Sequence, residues 1–143
     1  MSIPKLRCIT YNDKFSVNKS SYNDLVISFE KNVIGCNGTN CSKLSTGDYV
    51  IVTAKQNKKK YYCIGIIQNS MDYCYEWSLR GGHNWDYNYT FKPITAITEI
   101  TNELKQSLLQ MNIDPKHLFN MRFCTEKKYL SVIISLLKNT LKY

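Results

Sequence analysis

At 143 residues, 43% of them hydrophobic, the chain is long enough to bury a core without disulfide or metal staples and too apolar for a disordered polyelectrolyte. Nineteen Lys and Arg against eleven Asp and Glu give a formal charge of +8, which suits attraction to polyanions. Because Arg7, Arg80 and Arg122 are the only arginines, that charge is mostly lysine, which suits phosphate attraction better than bidentate base reading. No apolar run approaches the roughly 18 residues of a membrane span, since the longest cluster, Leu130 to Leu137, is broken by Ser131 and Ser135.

Met1 to Thr10 lacks the apolar run of a secretory signal, so an intracellular location (cytoplasm or nucleus) is expected. The six cysteines, Cys8, Cys36, Cys41, Cys63, Cys74 and Cys124, are then expected to be reduced. Cys36 and Cys41 flank Asn-Gly-Thr-Asn. Such a pair could open a zinc site but needs a second pair at short spacing, which Cys74, His83 and His117 do not supply. Neither a metal nor any other cofactor is expected.

In chain order, Lys5 to Thr10 reads as a first strand and Tyr11 to Lys19 as a loop. Ser20 and Ser21 are good helix caps, Asp24 completes a capping-box spacing with Ser21, and Tyr22, Leu25, Val26 and Phe29 recur at helical spacing. Leu25 to Phe29 would also suit a strand. Asn32 to Cys36 is a short strand before the Asn37-Gly38 turn, and Gly47-Asp48 is a second turn. Tyr49–Ala54 and Tyr61–Gln68 are rich in β-branched and aromatic residues and predict an antiparallel hairpin, with Lys55 to Lys60 as its charged loop. Asn69 to Tyr75 could extend the second strand, and Glu76 to Tyr89 reads as irregular. Thr90 to Thr98 reads as another strand, with Pro93 marking an edge or bulge. The period then changes. Ile100, Leu104, Leu108 and Met111 share a helical face, Asp114-Pro115 is a cap with proline at the first helical position, and Leu130, Ile133, Ile134, Leu137 and Leu141 form the stripe of a last helix. With no internal repeat and no linker, residues 1–143 are read as a single α+β domain: a barrel or curled sheet with flanking and C-terminal helices.

No glycine-rich phosphate loop, paired carboxylates or nucleophile–base spacing is visible, so the chain is read as a binding module and not an enzyme. The most distinctive segment is Tyr73 to Tyr89. It holds Trp77 and Trp85, the only tryptophans, with Arg80, His83, Asn84 and Tyr87. Aromatic faces stack on bases, and neighbouring polar groups read base edges. The same rings could simply cap a barrel end, or dock on a protein partner, because aromatics and Arg also dominate protein hot spots. Lys58, Lys59 and Lys60 are either a solvated hairpin tip or a phosphate-contacting prong.

Leu44-Ser45-Thr46-Gly47-Asp48-Tyr49-Val50-Ile51-Val52, followed by Tyr62-Cys63-Ile64-Gly65-Ile66-Ile67, resembles the PUA-like superfamily, nearest in layout to its EVE and YTH branches. The capped segment Lys19 to Asp24, Trp77 and the strand around Phe91 to Ile97 extend the likeness to about half the chain. The resemblance implies a curled β-barrel with flanking helices and an aromatic-lined pocket for a nucleobase, often a modified one. Ser20, Ser21, Asn23, Trp77 and Trp85 are the positions it carries over. The Gly81-Gly82-His83-Asn84 insert departs from the family pattern. The resemblance to the ASCH branch leaves a small ribonuclease as an alternative to a DNA- or RNA-binding reader, and a module binding a host or partner protein is another. The Lys- and Asn-rich composition suits an AT-rich genome such as that of a large DNA virus.

Overall fold

The computed structural model describes residues 5–16, 19–36, 44–71, 87–119, 130, 131, 133–135 and 137. In chain order they form β1 (Leu6–Thr10), a 3-10 turn (Asp13–Phe15), α1 (Ser21–Lys31), β2 (Val33–Cys36), β3 (Tyr49–Gln56), β4 (Lys59–Met71), β5 (Tyr87–Pro93), β6 (Thr98–Glu99), α2 (Asn102–Gln110) and α3 (Pro115–Leu118). The fold is mixed α+β. Its sheet runs β1-β3-β4-β5-β2, with β6 added to β4. β1 pairs parallel to β3, and every other ladder is antiparallel.

The expected hairpin is present in register, from Tyr49 opposite Ile66 to Ala54 opposite Tyr61, but it does not stop there. Pairing continues to Gln56 opposite Lys59, so the expected loop shrinks to Asn57-Lys58. Both residues are left-handed, at φ 51° and 65°. That geometry matches the twist of the flanking strands, and a lysine there carries about 1 kcal/mol of backbone strain.

Strand alternation sends side chains to two cores. Val50, Val52, Ala54 and Cys63 pack with Leu25 and Ile27 of α1, with β2, and with Tyr89 and Phe91 of β5. Ile51, Tyr62 and Ile64 face the other way, against Leu108, Leu118, Phe119 and Ile133. A sheet covered on both faces explains why residues 49–54 read as a continuous apolar run.

The ambiguous segment after the first loop is a helix. Its N-cap is Ser20, one residue before the expected box, and the Ser20 hydroxyl accepts from the Asn23 amide at 3.3 Å. Asn32 ends α1 in the left-handed region at φ 59°. The strand expected over Thr90 to Thr98 is instead two. β5 ends at Pro93, where a missing N–H breaks no ladder, and the Ile64 amide then donates to the Thr95 hydroxyl (2.8 Å) before β6 begins. Thr101 caps α2 and Asp114 caps α3 with Pro115 at its first position. Residues 130, 131, 133–135 and 137 are helical. Ile133 is buried there, but Ile134 is 53% exposed and lies off the expected stripe.

Among the described residues no ladder joins β1 to β2, the two ends of the sheet. Tyr11, just past β1, spans that gap from its side chain. The Gly35 amide of β2 donates to its hydroxyl oxygen at 3.3 Å, and Ser28 of α1 lies 2.7 Å from the same oxygen. Among the described residues no helix is long and apolar enough to cross a membrane.

Cysteine chemistry differs from the expectation of six reduced thiols. Cys8 and Cys63 are free and buried, but Cys36 is disulfide-bonded, to a cysteine outside the described residues. The expectation rested on the missing signal pattern, which carries no information about which cysteines come within bonding reach. Titration of the denatured, unreduced chain should therefore find at most four thiols, six less the bonded pair. Burial pushes the Cys8 thiol up to about 11 and Cys63 up to about 12, so neither should react with iodoacetamide at pH 8 until the chain unfolds. Six thiols in the unreduced chain, or rapid native labelling of Cys63, would contradict this arrangement.

Candidate nucleic-acid interface

The three tip lysines do not sit alone. Tight pairing of β3 and β4 carries Lys58 and Lys59 into solvent and leaves Lys60 half-buried. The Ile100 amide donates to the Lys60 carbonyl at 2.8 Å, which docks the start of α2 beside the hairpin. The result is a cleft of about 780 Å³ lined by Lys55, Lys58, Lys59, Lys60 and Lys105, with Glu99 and Asn102. Beside it lies a second cleft of about 560 Å³, which shares Lys60, Ile100, Asn102 and Lys105 and adds Leu109, Asp114, Pro115, Lys116 and Phe119.

Charge along this groove is uneven. Lys59 Nζ lies 3.5 Å from Glu99 Oε1, with the lysine side chain 64% and the glutamate 34% exposed. An exposed pair of this kind adds little stability, but it occupies one ammonium. Lys55, Lys58 and Lys105 are exposed beside it. Sequence reading missed Lys105. The signal available was its place near the N-terminal end of α2, where the helix dipole favours acids over lysine. Lys116 was missed as well, since only the fold brings α3 to the groove.

The α1 residues meet a different fate. Ser21 is buried at 1% exposure. Its hydroxyl accepts from the Lys55 amide (3.0 Å) and lies 3.2 Å from the Lys55 carbonyl, while its own amide donates to Asp13 Oδ1 at 2.8 Å. Ser21 therefore ties α1 to β3 through its hydroxyl. A serine that suits a cap also suits a buried bridge, and sequence does not separate the two. Ser20 is engaged as the α1 cap, and Asn23 is exposed on the first turn.

Trp77, Arg80, His83, Asn84 and Trp85 lie outside the described residues. Tyr87 is half-buried at the start of β5, opposite Cys36, and packs on the first core. Two residues on, burial raises the Tyr89 phenol above its ordinary range, with the Arg7 guanidinium opposing. Buried Arg7 of β1 is thus brought into electrostatic reach of the strand that follows the aromatic segment. Tyr62, against Phe119 with ring centroids 5.5 Å apart, is pushed up to about 12 by burial.

Among the described residues no group of three or more His, Cys, Asp or Glu side chains converges as a metal site would require. No family model matches the sequence, and no curated protein matches it.

Proposed function

We propose that this chain is a nucleic-acid-binding module of PUA-like type, which holds a phosphate backbone along the lysine groove and presents the Tyr73–Tyr89 segment to a base, including a modified one. The observation that carries the reading is the convergence of Lys55, Lys58, Lys60 and Lys105 on one continuous groove, from a hairpin tip and a helix far apart in sequence. Scattered lysines of an AT-rich genome would not be expected to converge in this way. The sheet order leaves β1 and β2 unpaired at its two ends, and what supports the curled sheet of that family is the Tyr11 side chain reaching across to Gly35 of β2. The reading is of a binder and not of an enzyme.

Fluorescence anisotropy with labelled oligonucleotides over a salt series tests it. Four lysines on phosphates predict a slope of log affinity against log salt near about −3. Replacing Trp77 or Trp85 with Ala should cost about 1–3 kcal/mol if that ring stacks a base. Such a loss should leave the salt slope unchanged and depend on which base, or modified base, is offered. Absence of binding to any DNA or RNA at low salt would reject the reading in favour of a protein partner.

A further inference from the structure

We infer that the nucleic-acid ligand is single-stranded, and that the second cleft holds one unpaired base while the lysines hold the adjoining phosphates. This rests on the nucleic-acid reading above and assigns a base site distinct from the aromatic segment. The two clefts adjoin through Lys60, Ile100, Asn102 and Lys105 and differ in chemistry. The hairpin end is lined by lysines. The other end has an apolar floor of Leu109, Pro115 and Phe119, rimmed by Lys105 and by Asp114.

Leu109 is 50% exposed on the outward side of α2, an apolar face left in water beside a cationic wall. A duplex would bring only phosphates and sugars to this groove, because its bases are stacked inside, and the floor would stay wet. A single strand can splay a base onto an apolar surface while its phosphates remain on lysine. The volume of about 560 Å³ lies in the range of small-ligand sites. Asp114 sets the direction. Its carboxylate repels phosphate, so phosphate belongs at the hairpin end, and it can accept from an N–H of a base, the N3–H of thymine or uracil included.

The test compares oligo(dT), oligo(U) and a DNA duplex of equal charge, on the full chain and on Leu109→Asn. The substitution is neutral and at an exposed position, and an unchanged melting temperature would verify folding. We expect tighter binding of the single strands than of the duplex. Leu109→Asn should weaken the single strands about five-fold, as loss of an apolar contact implies, with the duplex changed less than about two-fold and the salt slopes unchanged. The two single-stranded arms show whether DNA or RNA is held. Equal affinity for single strand and duplex, or no effect of Leu109→Asn on single strands, overturns the base site while leaving the nucleic-acid reading intact. No binding of any of the three overturns both.

Discussion

Replacing Gly65 with alanine is expected to destabilise the fold by about 3 kcal/mol, the upper end of what overpacking a core costs. Gly65 lies in β4, opposite Val50 of β3 and Pro93 of β5. A Cβ there would overlap the Phe91 ring and sit 2.6 Å from the Lys92 carbonyl oxygen. The oxygen belongs to the backbone, and the ring is fully buried in the first core, so neither can move aside cheaply. Gly47 is the contrasting case. A Cβ there meets nothing within 4 Å, but its φ is +93°, so Gly47→Ala should cost only about 1 kcal/mol, from backbone strain alone. Urea unfolding followed by circular dichroism separates the two. Trimming the ring should relieve the clash, so Gly65→Ala combined with Phe91→Leu should be less destabilised than the two single effects added. Gly65→Ala within about 0.5 kcal/mol of wild type would show that the β4–β5 contact is looser than described.

The same glycine shows what was legible in the sequence and what was not. Gly47-Asp48 announced a turn, and the β-rich runs on either side of Lys55 to Lys60 announced the hairpin, because turns and strands leave local signatures, whereas the close approach at Gly65 depends on Phe91. The structure agrees, with Asp48 Oδ2 accepting from the Ser45 amide at 2.9 Å and Oδ1 accepting from the Lys5 amide at 3.0 Å. Asp114-Pro115 likewise announced a helix start through local chemistry, whereas the Thr101 cap of α2 was not singled out. Long-range pairings were harder. Nothing in Leu6 to Thr10 says that this strand runs parallel to β3, and Ser21 looks like a cap until Lys55 is placed beside it. The division of Thr90 to Thr98 into two strands depends on Thr95 meeting Ile64, 31 residues away. The site divides the same way. Lys58 to Lys60 stand out as a run, whereas Lys105 joins them only because Ile100 docks on Lys60. The disulfide at Cys36 is missed for a related reason, since a compartment inferred from the first ten residues says nothing of which cysteines the fold brings together.

Replacing Lys58, Lys60 and Lys105 together with alanine should weaken oligonucleotide binding about 10²-fold at low salt and reduce the slope against log salt by roughly 2–3, because each lost phosphate contact removes about 0.7–0.9. The fold should tolerate the change. Lys58 and Lys105 are exposed and Lys60 is half-buried, and all but the Cβ of each side chain is dispensable to the backbone ladder that holds Lys60 opposite Lys55. Lys59 is predicted to behave differently from its neighbours. Its ammonium faces Glu99, so contact with a phosphate requires leaving that partner, and Lys59→Ala alone should cost less than Lys58→Ala. Glu99→Gln makes the sharper test, because it releases Lys59 and removes a negative charge from the groove. It should tighten binding several-fold at low salt and steepen the salt slope by up to about one contact. Anisotropy titrations between low and moderate salt read both variants. If the triple variant kept its affinity and slope, the phosphate path would lie elsewhere on the surface. If Glu99→Gln weakened binding instead, the Lys59–Glu99 pair would be holding the groove in shape and not restraining its charge.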